Sequence, residues 1–64
     1  METITIWKNS PRFGFKKGDV FPVKRDINGN CVIVMGEDKP NLVWTEKRAL
    51  SYGNLTGEPK LYMN

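Results

Sequence analysis

The sequence contains no histidine and only one cysteine, Cys31. A single thiol cannot form an intrachain disulfide, and a structural zinc site typically needs about four nitrogen or sulfur ligands. We therefore expect no bound metal, and the class of small secreted domains held together by disulfides is excluded. The lone thiol favours a reducing compartment.

Long apolar runs are also missing. The longest, residues 31–35, is far shorter than the roughly 20 residues of a membrane-spanning helix. The first seven residues have no basic region leading an apolar run, so they do not resemble a signal peptide. We expect a cytoplasmic protein with no membrane association, folded as one domain over residues 1–64.

The residue pairs and glycine patterns of common enzymes are absent. Cys31 has no histidine to deprotonate it and opens an apolar strand, where a small buried hydrophobe is the expected role. The adjacent Glu37 and Asp38 would point apart in a turn, unlike an acid–base pair. The glycines match neither the dinucleotide nor the P-loop pattern. We expect no catalytic residue, no cofactor and no enzymatic activity.

What the sequence does contain is alternating polar and apolar residues, which predicts strands. Residues 3–6 predict a first strand with Ile4 and Ile6 inward and Trp7 outward. A loop over residues 9–17 leads to a second strand at 20–25, with Phe21 and Val23 on one face. Pro22 cannot donate a ladder hydrogen bond, which places this strand at a sheet edge or at a bulge.

The second half of the chain predicts shorter elements. Asn28-Gly29 is typical of a type I′ hairpin turn, leading to an apolar strand at 31–35 that is covered on both faces or left to meet a partner. A fourth strand follows at 42–44, and Thr45 caps one turn of 3₁₀ helix over 45–50. A brief last strand is expected at 51–53, and residues 54–64 are expected to form a loosely packed tail that packs back or frays.

This order of elements, with the segment Phe-Lys-Lys-Gly-Asp-Val-Phe-Pro-Val at residues 15–23, resembles the SH3-like β-barrel. The segment is similar to the diverging turn of that family. The resemblance implies an all-β fold, a small SH3-like barrel of about five strands with one 3₁₀ turn. Short barrels of this kind also resemble bacteriophage accessory proteins that act by occluding a host protein, a comparison that rests on size and build.

The chain differs from the polyproline-binding signalling domains of the SH3 family. It lacks their Ala-Leu-Tyr-Asp-Tyr segment, and Asn30-Cys31 stands where paired tryptophans would open the third strand. Trp44 lies instead near the end of the fourth strand. Recognition of polyproline through an aromatic groove is therefore not expected.

Basic and aromatic residues are interleaved in the first part of the chain. The net charge is +3, and cations are concentrated in the first 25 residues. Such a pattern favours an acidic partner, with a solvated basic surface as the plain alternative. The candidate binding residues are Trp7, Lys8, Arg12, Phe13, Lys16 and Lys17, with Trp44, Lys47 and Arg48 as a second group.

These residues predict a binding module that docks onto a protein and modulates or inhibits it. Aromatic and Arg side chains are typical interface anchors, whereas Trp44 also suits a core position. The alternative is nucleic-acid binding, with cations on phosphates and bases stacked on rings. The apolar third strand and the thin core indicate that a partner chain, or a second copy in a homodimer, supplies further buried area.

Overall fold

The computed structural model describes residues 1–59. Its elements are the strands β1 (Glu2–Ile6), β2 (Val20–Arg25), β3 (Cys31–Ile33), β4 (Leu42–Trp44) and β5 (Gly53–Thr56), a 3₁₀ turn at Pro11–Phe13, and the helix α1 (Glu46–Leu50). The predicted mostly-β fold is confirmed. Residues 60–64, the end of the predicted tail, lie outside the described residues.

The five strands form one antiparallel sheet in the order β4-β3-β2-β1-β5. In residues 1–59 the edge strands β4 and β5 share no ladder, so the sheet is not the closed barrel that was expected. The chain between β4 and β5 forms α1, which contacts both edge strands. The helix thus connects the two edges without a ladder between them.

One face of the sheet carries the core. β1 alternates as predicted, with Ile4 and Ile6 buried and Trp7 exposed. β3 is buried on both faces and lies between β2 and β4, as its apolar sequence indicated, although it ends at Ile33 and not at residue 35. The buried core cluster consists of Ile4, Ile6, Phe15, Val23, Cys31, Ile33, Trp44 and Ala49.

A partly buried ion pair joins β1 to β2. The Arg25 guanidinium donates to both carboxylate oxygens of Glu2 at 2.9 Å, from Nε and Nη2. Nη2 also donates to Glu46 of α1 at 2.8 Å, and Nη1 donates to the Gly29 carbonyl at 3.0 Å. The hydrogen bond to Glu2 raises the pKa of Arg25, against the opposing effect of burial. This network holds two strands, a turn and the helix in one arrangement.

β2 confirms one prediction and corrects another. Phe21 and Val23 share the core-facing side, as expected. The edge position predicted from Pro22 is wrong, because β2 lies between β1 and β3. Pro22 is tolerated because its carbonyl, and therefore its missing N–H, face β3, where the ladder begins only at Val23.

The β2–β3 hairpin has a different turn from the one predicted. No non-glycine residue among 1–59 has a positive φ, so Asn28 excludes a type I′ turn, while Gly29 has a φ of 82°. Asp26 Oδ1 accepts the N–H groups of Asn28 and Asn30 at 2.9 and 2.8 Å. Burial acts to raise the pKa of Asp26, but the hydrogen bonds from Asn30 and Asn28 outweigh it, and the net pKa is lowered. A three-residue loop with glycine in the left-handed region results.

The helix and the last strand also differ from the prediction. Thr45 is the N-cap, accepting the Arg48 N–H at 3.2 Å, but α1 is α-helical and the 3₁₀ turn lies earlier, at Pro11–Phe13. The last strand is Gly53–Thr56 and not residues 51–53, so residues 54–56 belong to the sheet and not to a tail. Gly53 permits this pairing, since a Cβ there would lie 2.5 Å from the Thr5 carbonyl oxygen.

Candidate functional site

A cluster of aromatic rings underlies the long loop between β1 and β2. Phe13 lies 5.0 Å from Trp44 and 5.6 Å from Tyr52 between ring centroids, and both contacts are edge-to-face. Trp44 and Tyr52 are 4.8 Å apart. Phe15 and Phe21 extend the cluster into the core, with centroids 5.4 Å apart. The cluster therefore joins the loop, two strands and the end of α1.

The loop conformation results from short-range hydrogen bonds. Ser10 and Phe15 exchange both backbone hydrogen bonds at 3.0 Å, closing the loop as a small bridge. Between them, Pro11 occupies the first position of the 3₁₀ turn, where its missing N–H costs nothing. Phe15 is thereby buried at 1% exposure, whereas Phe13 remains half-buried on top of it. Phe15 anchors the loop, and Phe13 forms part of its surface.

Three cationic side chains cover the outer side of this cluster. Lys8 Nζ lies 4.6 Å from the Tyr52 ring centroid and 5.4 Å from that of Trp7. The Arg48 guanidinium lies 4.9 Å from the Trp44 centroid and 5.8 Å from the Phe13 centroid. The Arg12 guanidinium lies 5.5 Å from the Phe13 centroid. We define the cation–aromatic face as Trp7, Lys8, Arg12, Phe13, Trp44, Arg48 and Tyr52.

The cations of this face have no acidic partner in the described part of the chain. The ion pairs there join Arg25 to Glu2 and to Glu46, which lie on other elements. Asp19 and Asp26 accept backbone N–H groups in their own turns. The cation–aromatic face therefore presents uncompensated positive charge, held over rings that attract it.

The structure brings six of the nine sequence-predicted site residues onto this face and leaves the three lysines apart. Within residues 1–59, Lys16, Lys17 and Lys47 are exposed and contact none of the rings. The backbone N–H of Lys16 donates to Asp19, and that of Lys17 donates to Asn9. These contacts order the turn before β2 and leave the ammonium groups in solvent.

Trp44 is a core residue that also contacts a cation of the face. It is 6% exposed and belongs to the core, while Arg48 lies over its ring. Tyr52 is the face residue that the sequence did not indicate, since Ser51-Tyr52-Gly53 was interpreted only as a strand. The sequence signal that would have found it is an aromatic residue shortly after a capped helix. In the structure, the Tyr52 carbonyl accepts the Trp7 N–H, which brings Tyr52 next to the first strand.

A groove adjoins the cation–aromatic face, between the 3₁₀ turn and the loop that connects β3 to β4. Its volume is about 330 Å³. The half-buried Phe13, Met35 and Leu42 form its base, because each also packs against the core. Arg12 and Lys39 are exposed at its mouth. No acidic side chain lines it within residues 1–59.

Groups with catalytic or metal-binding potential are sparse in the described residues. Cys31 is fully buried, and burial raises the pKa of its thiol, which keeps it protonated. No set of three or more His, Cys, Asp or Glu side chains within residues 1–59 is arranged to hold a metal ion. Over the same residues, no helix has the length and apolar character needed to cross a membrane.

No protein family, curated protein or solved structure matches the chain.

Proposed function

We propose that the chain is a non-enzymatic binding module that docks through the cation–aromatic face onto an acidic surface of a partner protein and modulates or inhibits it. One observation carries the proposal: Lys8, Arg12 and Arg48 lie over aromatic rings with no carboxylate partner in residues 1–59. A ring beneath a guanidinium limits its motion, so less side-chain entropy is lost when it binds a carboxylate.

The arrangement of the rings favours a protein over a nucleic acid. Base stacking needs open ring faces, but the rings of Phe13, Trp44 and Tyr52 are buried or half-buried and covered by cations. An arginine stacked on a ring still presents its N–H edge to a carboxylate, so a protein partner leaves the packing intact. Trp7, at 44% exposure, is then a hydrophobic contact at the border of the interface.

Nucleic-acid binding remains the second candidate because of the basic turn. Lys16 and Lys17 are exposed and lie on the same long loop as Arg12, which extends the positive surface beyond the rings. If this surface binds phosphates, affinity for random DNA or RNA will be strongest at low salt and will fall steeply as salt rises.

We also propose an SH3-like fold and a cytoplasmic location for the protein. The single antiparallel sheet, the long first loop and the helix between β4 and β5 support the SH3-like resemblance. We further propose that the protein acts in the cytoplasm, that of a host cell if it is a bacteriophage accessory protein. The cytoplasmic setting rests on the lone Cys31, and the bacteriophage comparison rests on the small size and build of the domain.

The test is affinity capture with the tagged chain from a lysate of the source cell, with and without nuclease. We expect a protein to remain bound after nuclease treatment and to be lost with the double variant Arg12→Glu/Arg48→Glu. The matched control, Lys16→Glu/Lys17→Glu, changes the charge equally but touches no ring, and should retain the partner. Loss of all bound protein on nuclease treatment would establish the nucleic-acid alternative, and loss only with the control variant would place binding on the basic turn.

A further inference from the structure

We infer that the groove beside the cation–aromatic face receives a single apolar side chain from an acidic segment of the partner. The inference rests on the proposed function and adds the chemistry of what is recognised. It follows from three observations: the apolar base of the groove, the cations at its mouth, and the residues that it shares with the face.

The base of the groove is apolar and already supported. Phe13, Met35 and Leu42 are half-buried and pack against the core. They therefore cannot move deeper into the protein, and their exposed apolar surface remains in the groove. Pro40 contributes apolar surface at the side. A volume of about 330 Å³ lies near the lower end of the roughly 300–1,000 Å³ that ligand pockets occupy, so the groove has room for an aliphatic or aromatic side chain but not for a folded element.

The mouth of the groove carries two cations. Arg12 lies on the 3₁₀ turn and Lys39 on the opposite loop. The ammonium of Lys39 reaches toward the turn, since a Cβ built on Gly14 would lie 2.7 Å from Lys39 Nζ. Two cations at the mouth of an apolar groove are complementary to a hydrophobic side chain with carboxylates beside it in sequence.

The groove and the face form one continuous surface. They share Arg12 and Phe13, so a segment whose apolar side chain enters the groove places its neighbouring carboxylates next to Arg12 and, farther along, Arg48. The occupant is therefore an acidic peptide segment with a central apolar residue. This is the opposite charge pattern from a basic segment, which the same cations would repel.

The probe is a short fluorescein-labelled peptide with one central leucine between runs of aspartate and glutamate. Two matched peptides replace the leucine by alanine or the acids by their amides. Fluorescence anisotropy should show the leucine peptide binding about tenfold more tightly than the alanine peptide, because the groove buries the larger side chain. The amide peptide should bind at least about tenfold more weakly, because its neutral side chains form no ion pair with Arg12 or Lys39. The loss of one charged contact of modest strength is enough for a roughly tenfold change in affinity.

The position of binding is read by ¹H–¹⁵N NMR of the unmodified chain, which needs no variant to fold. The leucine peptide should shift the amide signals of Gly14, Lys39 and Leu42. The Lys39→Glu variant should bind the leucine peptide more weakly than the wild type does. The Lys47→Glu variant carries an equal charge change away from the groove and should bind this peptide with unchanged affinity.

The outcomes separate this inference from the proposed function. If the leucine and alanine peptides bind equally and shift only the signals of Lys8, Arg48 and Tyr52, the groove inference is overturned and the face remains the binding site. If the amide peptide binds as tightly as the acidic one, the acidic occupant is wrong. If neither acidic peptide binds, both the groove inference and docking onto acidic surfaces fail.

Discussion

The ion-pair network around Arg25 gives the sharpest stability prediction, because one guanidinium contacts a buried and an exposed carboxylate. The side chains of Arg25 and Glu2 are 11% and 6% exposed, whereas that of Glu46 is 58% exposed. Removing one partner of a buried pair costs about 3–5 kcal/mol, while an exposed pair contributes about 0.2–1 kcal/mol. At about 0.05–0.15 kcal/mol per residue, a domain of this length has roughly 3–10 kcal/mol of stability in total.

We therefore expect Arg25→Met to lower the free energy of unfolding by about 3 kcal/mol or more, and Glu46→Gln to lower it by less than about 1 kcal/mol. The double variant Glu2→Met/Arg25→Met should be more stable than Arg25→Met alone, because no buried charge is then left without a partner. Urea unfolding followed by tryptophan fluorescence measures all three. Equal costs for Arg25→Met and Glu46→Gln, or a double variant less stable than Arg25→Met, would refute the reasoning.

The remaining predictions concern the core, the sheet, the thiol and the hairpin. Phe15→Ala should cost about 3–5 kcal/mol in thermal unfolding, and Phe21→Ala, at a ring that is only partly buried, should cost less. Gly53→Ala should cost about 1–3 kcal/mol and speed amide exchange in β1, because the new methyl group meets the β1 backbone. Cys31 should react with a thiol reagent only as fast as the domain unfolds, and partial labelling of the folded protein would contradict its burial. The pKa of Asp26 is lowered from its ordinary value of 3.8, so its contribution to stability is present above that pH and is lost as the pH falls through the lower native pKa. The stability difference between the wild type and Asp26→Asn should therefore shrink in acid urea titrations, and a pH-independent difference would contradict this account.

Local patterns predicted most of the strands. The alternation in β1 and the shared face of Phe21 and Val23 depend on the period of the strand alone, and both are confirmed. The Thr45 cap is likewise a local hydrogen bond between a side chain and the backbone three residues on. These features are encoded within a few residues, so a sequence pattern is sufficient to find them.

The errors arose where a residue's role depends on more than the alternation within its own strand. Pro22 suggested a sheet edge, but what matters is that its missing donor lies beyond the end of the β2–β3 ladder. Asn28-Gly29 suggested a type I′ turn, but the nearby Asp26 carboxylate accepts the N–H groups of Asn28 and Asn30 and stabilises a three-residue loop, which the Asn-Gly pair alone does not indicate. The last strand was placed too early, because its position depends on the close approach of Gly53 to β1. Closure of the barrel was not met either: the edge strands β4 and β5 are consecutive in sequence, but the segment between them forms α1 and, within residues 1–59, they share no ladder.

The candidate site was predicted in composition but not in arrangement. The sequence indicated that basic and aromatic residues share a region, and it named Lys8, Arg12 and Arg48 among them. It could not show that Arg48 lies over the rings while Lys47 does not. That difference depends on how α1 is oriented relative to the rings after its N-cap Thr45. It also could not show the groove, which is formed by two loops that the sheet brings together.

The pair Arg48 and Lys47 provides the most direct test of docking through the cation–aromatic face. The dissociation constant of the captured partner is measured by titration calorimetry for the wild type, Arg48→Glu and Lys47→Glu. We predict that Arg48→Glu binds roughly 10–100-fold more weakly, as expected for a lost charged hydrogen bond, and that Lys47→Glu stays within about threefold of the wild type. Equal weakening by both variants would contradict the account, because binding would then depend on overall charge and not on the cations held over the rings.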